Sequence, residues 1–95
     1  MSPQRTGPAV IGPFESEAEV RALPEVRQIY AAFDIDPGIG KMIPPNHRLL
    51  CEALSAAGVD LGAYDHRIAL WLAGWEPQTV MVIASWVQRA SRASS

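Results

Sequence analysis

The fold is decided by the stretch Trp71-Leu72-Ala73-Gly74-Trp75-Glu76-Pro77-Gln78-Thr79-Val80, which joins two predicted helices. The first helix carries apolar residues at helical spacing that predict one packed wall, namely Tyr64, Ile68, Trp71, Leu72 and Trp75. Gly74 lies near its end, and Pro77 suits the first position of the next helix because proline has no N–H to donate. Two helices joined by a tight glycine-containing turn predict a helix-turn-helix-like hairpin.

The last helix is apolar nearly all the way round over residues 80–87, and not along one stripe only. Such a helix lies in the centre of its fold or is covered by a partner. The sequence leaves both alternatives open, since the amino-terminal helices or a second chain could cover the second face. We expect a partner interface formed by Trp75, Met81, Val82 and Trp86, and a homodimer is one form that such an interface takes.

The remaining helices follow from capping and proline signals. Ser16 and Glu19 fit a capping box at the start of a short helix, and Pro24 predicts the start of a second helix that runs to about Phe33. Pro44 and Pro45 extend an interruption, after which Asn46 is predicted as the N-cap of a third helix that stops at Gly58. Asp60 is expected to cap the fourth helix, and the fifth should run from Pro77 to about residue 89 or 90. The sequence predicts an all-α fold of about five helices, two short ones followed by a three-helix carboxy-terminal part.

The chain has 95 residues, which is enough for one small domain. We expect a flexible tail over residues 1–14, a single helical domain over 15–92 and a frayed carboxy terminus over 93–95. No apolar run near the amino terminus is long enough for a signal peptide, and one cysteine cannot form an intramolecular disulfide. Because Glu76 and Pro77 interrupt the apolar stretch 68–87, a membrane span is not expected either. These features predict a cytoplasmic protein.

Catalytic and metal-binding chemistry finds little support. The candidate side chains are scattered, namely Asp34, Asp36, His47, Cys51, Asp65 and His66. His47 and Cys51 lie four residues apart and share one helical face, but no second pair completes a tetrahedral zinc site. Asp65 and His66 are adjacent on a helix, so their side chains point in different directions. We therefore expect no enzyme activity, no cofactor and no metal.

DNA binding is the alternative function. The stretch around Gly74 resembles the helix pair of sigma-factor-like and response-regulator DNA-binding domains, and the resemblance implies a groove-facing side that includes Gln78, Thr79, Val82, Ser85 and Arg89. The charges argue against it, because the net charge is −2 and residues 46–95 carry equal numbers of Arg and acidic residues. A non-catalytic protein interaction or regulatory module is therefore the first prediction, and a DNA-binding transcriptional regulator is the second.

Four segments resemble a group of small actinobacterial proteins that often occur on mobile elements. The segments are Leu23-Pro24-Glu25-Val26, Ile29-Tyr30-Ala31-Ala32-Phe33-Asp34, Ala56-Ala57-Gly58-Val59 and Trp71-Leu72-Ala73-Gly74-Trp75-Glu76-Pro77. Seven Arg against one Lys, together with abundant Ala, fit a GC-rich source. The resemblance implies a cytoplasmic bacterial setting and carries over no functional residue.

Overall fold

The computed structural model describes residues 12–94, which contain five α-helices and no β-strand. The helices are α1 (Glu17–Arg21), α2 (Pro24–Ile35), α3 (Ile43–Ala56), α4 (Ala63–Leu72) and α5 (Pro77–Ser94). The all-α prediction is confirmed in class and in the number of helices. α5 continues to Ser94, beyond the end predicted at residue 89 or 90, and residue 95 lies outside the described part of the chain. Most of the predicted tail, residues 1–11, lies outside the described part of the chain.

The amino-terminal helices begin where the sequence predicts. Ser16 Oγ accepts a hydrogen bond from the Glu19 N–H, as a capping residue does. The Glu19 carboxylate, however, accepts from the Glu15 N–H at 2.9 Å and not from Ser16, so only half of the capping box forms as expected. Pro24 is the first residue of α2, where its missing N–H costs nothing. Folded structure also begins before the predicted boundary, because Phe14 packs against the core.

The start of α3 differs from the prediction. The helix begins at Ile43, and Pro44 and Pro45 lie in its first turn and do not interrupt the chain. The first four N–H groups of a helix have no intrahelical acceptor, so prolines there remove no hydrogen bond. Asn46 is consequently inside α3, and the prediction that it caps the helix is wrong.

Asn46 instead links α3 to the connection between α4 and α5. Its side chain is fully buried. Nδ2 donates to the carbonyl oxygens of Ala73 at 3.0 Å and Trp75 at 2.8 Å. Both carbonyls come just after α4, where a helix leaves its last carbonyls without intrahelical donors. One buried amide therefore fixes the turn that precedes α5.

The connection from α3 to α4 is set by Gly58 and Gly62. Gly58 has a φ of +79°, the Gly58 N–H donates to the Ser55 carbonyl, and the Val59 N–H donates to the Leu54 carbonyl. This is the Schellman arrangement that glycine favours at a helix end, as the sequence predicts. Asp60 does not cap α4, because the helix follows Gly62, whose N–H donates to Asp65 Oδ2 at 2.9 Å.

The core is built around α5, which contacts α1, α2 and α3. One cluster joins Val20, Val26 and Met81, and a second joins Leu50, Ala69 and Val80. α4 packs on α3. Of the two alternatives for the apolar last helix, the amino-terminal helices do cover its second face, and Val80, Met81 and Ala84 are buried within the chain.

Candidate interaction groove

A groove runs along α5 on the side of α1 and the segment that leads into α1. Its volume is about 590 Å³. Apolar parts of its lining come from Phe14, Val20, Val82 and Trp86. We call it the α1–α5 groove. It brings the segment before α1 together with a face of α5 that lies far away in the sequence.

Trp86 is an exposed large hydrophobic side chain of the α1–α5 groove. It remains 58% exposed although Val82, one turn earlier on α5, is partly buried against the first core cluster. Residues four apart on a helix lie one above the other, so the two side chains form a continuous apolar surface. The exposed indole therefore leaves a large apolar area uncovered within the described chain.

A hydrogen-bond network holds one wall of the groove. Gln78 Nε2 donates to Glu17 Oε2 at 2.9 Å, and the Tyr30 hydroxyl donates to Gln78 Oε1 at 2.6 Å. Arg21 donates to the Tyr30 hydroxyl at 3.4 Å and stacks over the Tyr30 ring at 4.4 Å from its centroid. These contacts join α1, α2 and α5. Gln78 is therefore a structural residue of the wall and is only 5% exposed.

Arg89 lines the other end of the groove and contacts Ser85. Ser85 is fully buried, and its Oγ accepts from Arg89 Nε at 3.2 Å. The Gly12 backbone lies against both residues. A Cβ at position 12 would come within 3.0 Å of Ser85 Oγ and 3.2 Å of Arg89 Cζ. The described chain thus starts in direct contact with α5 at this end.

The charges around the groove are predominantly negative. Three carboxylates line it, from Glu15, Glu17 and Glu76, against one guanidinium from Arg89. Glu17 also lies 3.5 Å from the Arg21 guanidinium, whereas Glu15 and Glu76 are exposed. A ligand with positive charge is therefore favoured over one with phosphates.

The structure separates the four predicted interface residues. Val82 and Trp86 lie together in the α1–α5 groove. Met81 is only 2% exposed because it packs with Val20 and Val26, so placing it on an interaction surface was wrong. Trp75 is exposed but lines a different groove, of about 430 Å³, together with Ile39.

The four residues predicted for DNA binding do not form one accessible face. Thr79 and Arg89 line the α1–α5 groove. Gln78 and Ser85 are buried, and each is engaged with a neighbouring side chain. Base reading requires side chains that project into solvent, so two of the four residues are unsuited to it as the fold places them.

The structure also exposes a row of apolar residues that the sequence predicts to be packed. Tyr64, Ile68 and Trp71 on α4, with Trp75 just after it, form what we call the α4 stripe, and all four are exposed. The Trp71 and Trp75 rings meet edge to face, with centroids 5.9 Å apart and planes at 79°. α4 packs on α3 instead through Ala69 and Leu72, which lie on the adjoining face of the helix.

The catalytic and metal candidates stay apart from the α1–α5 groove. His47 Nε2 and Cys51 Sγ are 3.4 Å apart on α3. Cys51 and His66 line a separate cavity of about 240 Å³. Asp36 is paired with Lys41 at 2.8 Å. Within residues 12–94, no group of three or more His, Cys, Asp or Glu side chains is arranged to hold a metal ion.

Sequence reasoning missed several residues of the groove. Phe14 falls in the predicted tail, Glu15 was not singled out, and Glu76 was noted only as a residue that interrupts an apolar stretch. The sequence signal for these residues was the acidic segment from Glu15 to Glu19, which is flanked by the apolar residues Phe14 and Val20. Its position against α5 depends on contacts between residues more than 60 apart, such as Glu17 with Gln78.

Comparison with known proteins adds no homologue. No protein-family model matches the chain, and no curated protein or solved structure matches it significantly. None of the helices in the described residues has both the length and the apolar character needed to cross a membrane. Function is therefore inferred from the residues of the chain itself.

Proposed function

We propose that this protein is a non-catalytic helical module that binds a segment of another protein in the α1–α5 groove. The observation that carries the proposal is Trp86, which is 58% exposed in an apolar groove of about 590 Å³. Small-molecule sites commonly enclose roughly 300–1,000 Å³, so the groove is large enough to take several side chains of a partner segment. The partner segment is expected to place apolar side chains against Trp86 and Val82.

The charges of the groove specify the partner further. Glu15 and Glu76 are exposed beside the apolar surface, so a Lys or Arg next to the apolar residues of the partner gains favourable electrostatic energy. A homodimer through the same groove would bring two acidic rims together. We therefore favour a different, basic protein as the partner. The experiment must distinguish binding of such a protein from self-association.

The proposal of a binding role agrees with the placement of the reactive groups. The thiol of Cys51 and the imidazole of His47 lie on α3, outside the lining of the α1–α5 groove. Asp65 accepts from a backbone N–H at the start of α4. The single cysteine also leads us to propose a reducing, cytoplasmic setting for the protein.

A peptide-display selection against the full chain tests the proposal. We expect enrichment of peptides that combine two or more large apolar residues with Lys or Arg. Binding of a selected peptide should weaken at least about tenfold in the Val82→Glu variant, because a carboxylate is placed on the apolar surface beside Trp86. Binding should also weaken with added salt.

The Leu70→Glu variant is the matched control, since Leu70 is exposed on α4 and the same charge is introduced. It should bind the peptide like the unmodified chain. Equal binding by the Val82→Glu variant, or the absence of enriched peptides, would contradict the proposal. Sedimentation that shows a dimer, and a monomer for Val82→Glu, would favour a homodimer in its place.

A further inference from the structure

The α4 stripe is an apolar surface that no described part of the chain covers. Tyr64, Ile68, Trp71 and Trp75 are all exposed, Trp71 to 62%. Ile39 is also fully exposed, and it lines the cavity of about 430 Å³ together with Trp75 at the carboxy-terminal end of the stripe. Contiguous exposed patches of this kind mark interaction sites on small proteins. No residue of the α4 stripe lines the α1–α5 groove, so the two surfaces are separate.

The spacing of the α4 stripe fits a second copy of the same chain. Its residues 64, 68, 71 and 75 are separated by four, three and four positions, an order that is the same in both directions along α4. In a dimer with a two-fold axis, residue i of one chain contacts residue j of the other and the reverse. A two-fold axis that makes the α4 helices antiparallel, centred between Ile68 and Trp71, therefore places each stripe on the other along its whole length.

The side chains are complementary in size in this register. Ile68 meets Trp71 of the second copy, so a smaller side chain faces an indole on both sides of the axis. Tyr64 meets Trp75 of the second copy, where the cavity beside Ile39 is open to receive a ring. Large and small side chains that alternate in this way pack without voids.

The charges beside the stripe also favour an antiparallel pair. Arg67 lies in the amino-terminal half of α4 and Glu76 follows the stripe at its other end, and both are exposed. Neither side chain forms an ion pair within residues 12–94. Side chains of a helix lean toward its amino terminus, so Arg67 leans toward Tyr64 and thus toward Glu76 of the second copy. Opposite charges therefore approach each other twice in the dimer.

The exposed area is sufficient for a weak dimer. Three aromatic side chains that are each more than half exposed offer roughly 300–450 Å² per chain, since a covered aromatic side chain buries about 150–250 Å². Ile39 and Ile68 add to this area. Two copies together then bury on the order of 1,000 Å², which is the lower limit for a specific interface.

We propose that α4 forms an antiparallel homodimer in which the α4 stripes of two chains cover each other. The inference concerns a surface outside the α1–α5 groove and does not rest on the function proposed for that groove. The groove binds a different, basic protein, whereas self-association takes place through α4. Because the buried area is small, the dimer forms reversibly and dissociates on dilution.

Sedimentation equilibrium of the full chain tests the dimer. We expect a dissociation constant of about 10–100 μM, as suits an interface of this size. Trp71→Glu should raise this constant at least about 20-fold, because a carboxylate would be buried against Ile68 of the second copy without a partner. An unmodified chain that stays monomeric up to about 500 μM overturns the inference, and so does an unchanged constant in Trp71→Glu.

Leu70→Glu is the matched control, since Leu70 is the neighbouring residue on α4, is 52% exposed and lies outside the stripe. It introduces the same charge and should dimerise like the unmodified chain. Circular dichroism of both variants verifies that the helices are intact. Equal weakening by Leu70→Glu and Trp71→Glu would overturn the assignment of the interface to the stripe.

A charge exchange tests the antiparallel arrangement. Arg67→Glu should weaken the dimer by about threefold to tenfold, because two carboxylates then face each other across each contact. Arg67→Glu combined with Glu76→Arg should restore the dissociation constant to within about twofold of the original, since the opposite charges again meet. If the double variant stays as weak as Arg67→Glu alone, the antiparallel arrangement is overturned.

Val82→Glu distinguishes this inference from the proposed function. It should keep the dimer and lose a selected peptide, whereas Trp71→Glu should lose the dimer and keep the peptide. A dimer that is lost in Val82→Glu and kept in Trp71→Glu would assign self-association to the α1–α5 groove and overturn the inference. A chain that dimerises through α4 but selects no peptide would support the inference and contradict the proposed function.

Discussion

The helices α4 and α5 both carry many apolar residues in the sequence but have opposite surroundings in the structure. α5, which the sequence marks as unusually apolar, is covered by α1, α2 and α3, and Val80, Met81 and Ala84 are buried. α4, for which the sequence predicts a packed wall, contacts α3 and leaves the α4 stripe exposed. Apolar content alone thus does not reveal which helix is left uncovered.

The reason lies in how many neighbours each helix obtains. α5 is the longest helix and receives contacts from helices that come much earlier in the chain. α4 is held between two connections that keep it on one side of α3. A domain of this size cannot surround every helix, because surface dominates volume. The helix that fewer neighbours reach keeps an exposed apolar face.

The strongest test of this difference concerns the amide that fixes the start of α5. Asn46→Asp replaces the buried donor with a carboxylate that faces the carbonyl oxygens of Ala73 and Trp75. We expect a loss of about 3–5 kcal/mol in the free energy of unfolding, since a charge is buried without a partner. Urea denaturation followed by circular dichroism measures it.

Ser55→Asp is the control on the same helix, because Ser55 is exposed. It should lose less than about 1 kcal/mol. If Asn46→Asp unfolded at the same urea concentration as the unmodified chain, the link between α3 and the α4–α5 connection would not contribute to the position of α5.

A second test compares the two helices directly. Met81→Ala removes a side chain that packs with Val20 and Val26, and we expect a loss of about 2–4 kcal/mol because a cavity is left. Leu70→Ala removes an exposed side chain from α4, and its loss should stay below about 1 kcal/mol. Denaturation midpoints at equal m-values provide the comparison. Similar losses for both variants would break the contrast between a covered α5 and an open α4.

The smallest expected effect is the coupling of Trp71 with Trp75. Their edge-to-face contact on the exposed surface should contribute about 0.5–1.5 kcal/mol, the range found for aromatic pairs. A double-mutant cycle with Trp71→Ala and Trp75→Ala measures this coupling energy. Strictly additive losses would show that the two rings do not stabilise each other.

Local signals predicted most of the helix starts and stops. Pro24 and Pro77 each open a helix, and Gly58 closes one, because a missing N–H or a positive φ has a fixed local consequence. Asn46 shows where such reasoning fails. Asparagine suits a helix cap, but Pro44 and Pro45 fit the first turn of α3, so the helix begins upstream of Asn46.

The predicted interface and the α1–α5 groove share only two residues, Val82 and Trp86. The sequence singled these out because the apolar character of residues 80–87 exceeds what one helix face needs. Met81 was assigned to the same surface as Val82 and Trp86, since the sequence does not show which side of α5 the helices α1 and α2 cover. Phe14 and Glu76 were missed because their role depends entirely on which elements lie next to them.

The sequence by itself determined the all-α class, the order of five helices and the apolar excess of the last one, because these follow from local propensity and spacing. Only the tertiary structure decided which apolar side chains stay exposed. α1 and α2 cover Met81 and leave Trp86 open, and α4 keeps Trp71 in solvent. Those outcomes depend on contacts between distant segments, and periodicity in one segment carries no information about what packs against it.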